Sequence, residues 1–144
     1  MQQIRWIVFF LFSGICAAED LKNRRIRIDW FLLFGIVGLV LFYKSEGTLV
    51  TYILAAVPGI LTLLLSRFFH MHIGEGDAFL LLDAAFYMPL PLLLQIIVFS
   101  LILCSAYALA VCAYCFVQGK HAGKQGIPFA PFFLLAAVFY RFLI

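Results

Sequence analysis

Apolar residues fall in long runs, at about residues 3–19, 29–43, 48–69, 77–90, 91–117 and 127–143. Charges and turn formers collect between them, at Glu19 to Asp29, Lys44 to Gly47, Arg67 to Gly76, Met88-Pro89-Leu90-Pro91 and Gln118 to Gly126. One bilayer crossing takes roughly 20 apolar residues in a helix, and in lipid each segment must satisfy its own backbone hydrogen bonds. The pattern predicts an all-α fold, a polytopic membrane protein with about six transmembrane helices in a bundle. The second and fourth runs are short. The fourth rises only ~20 Å and is predicted to be a partial helix that starts inside the protein. With no internal repeat or low-complexity tract, residues 1–144 read as a single membrane-embedded domain with no soluble domain at either end.

Composition strengthens this reading: 66% of the residues are hydrophobic and 12% charged, against roughly a quarter charged in soluble domains. The basic residues give an orientation. With the N-terminus outside, the cytoplasmic loops hold Lys22, Arg24, Arg25, Arg27, Arg67, Lys120 and Lys124, and the outer side holds Arg5, Lys44 and Arg141. That imbalance satisfies the positive-inside rule, so the net charge of +3 speaks for basic loops against an anionic leaflet, with membrane lipid as partner. Nucleic-acid binding is the other meaning of Lys22 to Arg27, and a topology signal is the simpler one. A cleaved signal peptide ending at Ala17-Ala18-Glu19 is the alternative reading of the first run.

Against this background two aspartates stand out. Asp20 and Asp77 each lie where an apolar run meets a polar loop, the second inside Gly74-Glu75-Gly76-Asp77. Ionisable groups at such places are costly and mark functional sites. Two close carboxylates that share one proton can activate water with the ionised member and donate a proton with the other. That chemistry needs the first helix packed against the fourth. Gly74 and Gly76 are expected to allow unusual backbone angles and a close helix approach. Asp83, about 240° around a helix from Asp77, reads as a structural or supporting acid. Glu19 and Glu75 read as solvated loop acids, and Asp29 as the N-cap of the second helix. Cys112-Ala113-Tyr114-Cys115 lacks a second pair for zinc, so Cys16, Cys104, Cys112 and Cys115 read as small buried hydrophobes, with no disulfide or metal framework. His70-Met71-His72 offers two ligands without a third and reads as an interfacial loop.

The segments Asp20-Leu21-Lys22-Asn23-Arg24-Arg25-Ile26, Gly74-Glu75-Gly76-Asp77 and Ile127-Pro128-Phe129-Ala130-Pro131-Phe132 resemble, in order and spacing, three signatures of the type IV prepilin peptidases. These are Gly-x-Gly-Asp aspartyl proteases that remove the short basic leader of prepilins and pseudopilins on the cytoplasmic side. The resemblance implies one peptidase domain in the inner membrane, catalysis by Asp20 and Asp77 without metal or cofactor, and a prepilin or pseudopilin substrate. Ile127 to Phe132 is expected to shape the start of the sixth helix.

This chain departs from the pattern in three places. Ile26-Arg27-Ile28-Asp29 stands where the family continues Ile-Pro-Asn, and Phe79 where it often has Lys. The cysteine-rich region associated with N-methylation in larger members is missing, which implies cleavage alone. Two other classes fit the same acids: a non-catalytic assembly factor or small transporter, and a Gly-x-Gly-Asp protease of the presenilin or signal peptide peptidase type.

Overall fold

The computed structural model describes residues 2–23, 26–44, 48–68, 74–118 and 127–143. Arg24, Arg25, His70-Met71-His72, Lys120, His121 and Lys124 lie outside the described residues. Among those described, every regular element is a helix: α1 (Gln2–Asn23), α2 (Ile28–Lys44), α3 (Leu49–Phe68), α4 (Glu75–Tyr87), α5 (Leu90–Val117) and α6 (Ala130–Leu143). Each apolar run of the sequence forms one of them. The fold is an all-α membrane bundle.

Its surface follows from lipid as solvent. α3 and α5 are long and apolar enough to cross a bilayer, yet only 17% and 11% of their most apolar windows are buried. Leu32, Ile36, Ile53, Leu61, Leu101 and Leu109 all point outward with about half or more of their surface exposed. Such a surface would be untenable in water and costs nothing in a hydrocarbon environment.

α4 is the opposite case. It is 13 residues long and sits centrally, against α3 most extensively, then α2, α1 and α5. Ala78, Leu80, Leu81, Asp83, Ala84, Ala85 and Tyr87 are buried, so apolar residues surround it on every side, as expected of a fully enclosed helix. Glycines on its neighbours admit it. A Cβ on Gly59 of α3 would lie 2.8 Å from both Leu82 Cγ and the Leu82 backbone nitrogen, and one on Gly38 of α2 would lie 2.8 Å from Phe86 Cβ. Backbones meet here at distances that no larger residue permits. The Tyr87 hydroxyl fastens α4 to α2 by donating to the Phe34 carbonyl at 2.6 Å.

The core is aromatic. Phe9, Phe12 and Phe133 are fully buried, and the Phe9 and Phe12 rings meet Phe31, Phe34, Tyr87 and Phe133 across α1, α2, α4 and α6. α5 packs along α6 as far as Tyr107, whose ring lies 5.5 Å from Phe132. The last turns of α5 extend ~15 Å past that level, with Leu109, Tyr114, Phe116 and Val117 exposed among the described residues. Cys112 is therefore exposed and Cys115 half-exposed, where the sequence suggested burial. Asp29 also differs from expectation. α2 starts one residue earlier, and the Asp29 carboxylate pairs at 2.7 Å with Arg27 on the surface instead of capping the helix.

Candidate active site

α1 continues through the polar boundary to Asn23, so Asp20 stands on a helix and not in a loop. Its side chain turns inward and is 9% exposed. Oδ2 accepts a hydrogen bond from the backbone N–H of Ala130 at 3.2 Å. Ala130 is the first residue of α6, and the N–H groups of a first turn have no partner within their own helix. The Asp20 carboxylate supplies one, and the positive end of α6 favours a negative charge there. Phe129 accepts from Phe132 N and Phe133 N, which fixes it as the residue capping α6. Pro131 sits in the first turn, where a missing N–H leaves no bond unmade. The segment from Ile127 to Phe132 thus shapes the start of α6 as expected, and it also delivers a donor to Asp20.

Asp77 lies in the first turn of α4, at the same end of the bundle, and its N–H donates to the Gly74 carbonyl at 3.0 Å. Asp20 and Asp77 are close enough for their charges to interact. The two sequence-predicted carboxylates therefore share one end of the bundle, on helices that are in contact. Gly74 is in ordinary extended backbone, with φ −62° and ψ 130°. Neither it nor Gly76 has a positive φ, and neither is needed for unusual angles. What Gly76 does is face Ile26: a Cβ there would lie 3.5 Å from Ile26 Cδ1, in van der Waals contact.

The other acids separate by role. Asp83 is 8% exposed, on α4, with Oδ1 3.1 Å from where a Gly35 Cβ would stand. Its Oδ2 has no hydrogen-bond partner among the described residues. Its charge reaches Tyr52, Tyr87 and Cys16, and its structural setting is the α2–α4 interface. Glu19 is no free solvated acid: it accepts from the Arg27 backbone N–H at 3.0 Å and from Trp30 Nε1–H at 2.9 Å. Cys104 of α5 lies within electrostatic reach of Asp77. Phe79, in the place of the expected cation, packs its ring 5.5 Å from Phe31 and belongs to the aromatic core. No group of three or more His, Cys, Asp or Glu side chains suited to a metal occurs among the described residues.

A family model described as the type IV leader peptidase family matches residues 7–109. The chain belongs to this family. The match runs from α1 into α5 and includes both Asp20 and Asp77, whereas Ala130 and the rest of α6 lie beyond it. Neither the curated proteins nor the solved structures provide a match. Membership in the leader peptidase family makes this a membrane peptidase and implies a part in prepilin processing.

Two groups beside the candidate site have partners that the sequence does not announce. Ala130 acts through its backbone, and the only trace in sequence is Pro131, which marks a helix start with unpaired N–H groups nearby. Glu19 is spelled like any loop acid. Its partners, an indole and a backbone N–H, become visible only once α1 and α2 are side by side.

Proposed function

We propose that this protein is an aspartyl endopeptidase, with Asp20 and Asp77 as its catalytic pair and residues 1–144 forming one membrane-embedded peptidase domain. The observation that carries the reading is that α1 and α4 are in contact and present these two carboxylates at the same end of the bundle, where the Asp20 charge reaches Asp77. Two like charges brought close resist joint ionisation, and such a pair shares a proton and titrates as a unit. The ionised member takes a proton from water. Hydroxide character at the oxygen then drives attack on the scissile carbonyl, while the protonated member donates to the carbonyl oxygen and later assists collapse of the tetrahedral intermediate. The Ala130 N–H favours ionised Asp20 and thereby casts Asp20 as base and Asp77 as acid in the first step.

The substrate is a type IV prepilin or pseudopilin, whose apolar helix lies in the bilayer and whose short basic leader remains outside it. Lys22, Arg27 and Arg67 stand at the end of the bundle that holds the pair, which supports a cytoplasmic active site in a multi-pass protein of the inner membrane.

The test is co-expression of a pilin-type precursor with wild-type protein, Asp20→Asn and Asp77→Asn, read as a mobility shift. Cleavage by wild type alone is expected, with both variants folded and inactive. Full activity in either variant sinks the assignment, and precursor binding without cleavage by any form turns the reading to an assembly factor.

A further inference from the structure

Asp20 and Asp77 come from different halves of the bundle. α1 packs most extensively on α6, which packs on α5, whereas α4 packs most extensively on α3 and then on α2. The separation of the carboxylates is therefore set by whatever fixes one half against the other. At mid-height that contact is aromatic, with Phe9 6.0 Å from Tyr87 and Phe12 5.1 Å from Phe34, centroid to centroid. Packed surfaces of this kind permit small sliding movements. Directional bonds join the halves nearer their ends. Away from the carboxylates, Arg5 Nη2 donates to the Phe86 carbonyl at 3.0 Å. Beside them, Glu19 of α1 accepts from Arg27 N–H and Trp30 Nε1–H, at 3.0 and 2.9 Å.

The Glu19 pin leads to both carboxylates, directly to one and through a short chain of contacts to the other. Glu19 immediately precedes Asp20. On the other side, Arg27 adjoins Ile26, and Ile26 lies against Gly76, which immediately precedes Asp77. Both carboxylate oxygens of Glu19 are used, Oε2 for Arg27 and Oε1 for Trp30, and hydrogen bonds to an ionised acceptor are the stronger kind.

We infer that Glu19 is a positioning residue for peptide cleavage: through Arg27 and Trp30 it clamps the connector between α1 and α2, so that Ile26 rests on Gly76 and holds Asp77 against Asp20. This rests on the catalytic-pair reading above. The coupling of two carboxylates weakens as they separate, and their two titrations then draw together. Loosening the clamp therefore narrows the bell-shaped pH dependence of cleavage, because that bell spans the interval in which the pair holds one proton. Loss of folded protein lowers the bell without changing its width. The other titratable groups around the pair keep their identity in each variant below: Lys22 on α1, Asp83 and Cys16 within the bundle, Cys104 from α5, Glu75 at the start of α4, and Arg27 and Asp29 ahead of and in α2. Trp30→Phe removes one donor and alters no charge, so it isolates positioning from the electrostatic effect of removing Glu19.

The experiment measures kcat and KM for a pilin-type precursor across pH with purified wild type, Glu19→Ala, Glu19→Gln, Trp30→Phe and Asp20→Asn. Misplacement of reacting groups by about 1 Å costs up to ~10²-fold in rate. Glu19→Ala is expected to lower kcat at least ~10-fold with KM within ~2-fold, and to narrow the bell. Trp30→Phe is expected to do the same to a lesser degree, and Glu19→Gln, which keeps one acceptor, to recover part of the loss. If Glu19→Ala fails to fold, Trp30→Phe carries the test alone. An unchanged bell width in Trp30→Phe, or a rise in KM at constant kcat in Glu19→Ala, overturns the inference. Cleavage by Asp20→Asn overturns the catalytic pair itself, a result that the Glu19 and Trp30 variants cannot produce.

Discussion

Gly59→Ala is the sharpest probe of how packing reaches the site. The added methyl would stand 2.8 Å from Leu82 Cγ and 2.8 Å from the Leu82 backbone nitrogen. Carbon contacts are optimal at about 3.5–4.0 Å, so α3 and α4 must separate by roughly 0.7 Å or more. A rotamer change at Leu82 relieves the first contact but not the second, because the nitrogen moves only with its helix. Overpacking of this kind costs about 1–3 kcal/mol. Since Asp77 rides on α4 and Asp20 on α1, the same displacement enters the distance between them, and kcat is expected to fall by about 10- to 100-fold. Thermal unfolding in detergent and precursor cleavage read the two effects separately. Gly14→Ala is the control, for a Cβ on Gly14 meets nothing within 4 Å, and alanine there is expected to be neutral or slightly stabilising. If Gly59→Ala matches Gly14→Ala in both stability and rate, close approach of α3 does not hold α4 in place. Adding Leu82→Ala to Gly59→Ala is expected to leave most of the defect, because the backbone contact remains.

Two further outcomes follow from single bonds. Ala130→Pro removes the N–H that reaches Asp20 while suiting the first position of α6; circular dichroism is expected to stay helical while kcat drops at least ~10-fold, the usual scale for losing a positioned donor, and unchanged kcat would show that the bond is idle. Tyr87→Phe deletes the buried bond to the Phe34 carbonyl and is expected to cost about 1 kcal/mol, measured as a lower unfolding temperature; no change would mean that α2 and α4 are held by ring and glycine packing alone.

Much of this molecule is legible in its chain because lipid imposes a simple rule. Every apolar run becomes a helix, and the acids at the run boundaries, Asp20 and Asp77, fall at one end of the bundle. What the chain hides is contact made by groups without a distinctive letter. The Ala130 amide is common to nearly all residues, and its importance comes from the place where α6 begins. Glu19 and Asp29 look alike beside a basic loop, yet one reaches across to Trp30 and the other pairs with its neighbour Arg27, a difference set by helix phase. Gly74 and Gly76 suggest backbone strain that is absent, whereas Gly38 and Gly59, which stand in runs with no motif, have the closest neighbours of the described glycines.

The presence of two acids on one short helix bears on how the protein is made. On an insertion scale, an aspartate at the middle of a helix opposes entry into the bilayer by about 2.5–3.5 kcal/mol; in the 13 residues of α4, Asp83 stands near that position and Asp77 adds a second acid in the first turn. Such a segment has little tendency to leave the translocation channel for lipid by itself. It needs a surface of protein already in the membrane, and α2 and α3, with the glycines that face it, are synthesised just before it. Biogenesis thus assembles the cradle first and α4 second, so a nascent chain that has failed to place α2 and α3 leaves α4 without a surface on which to enter.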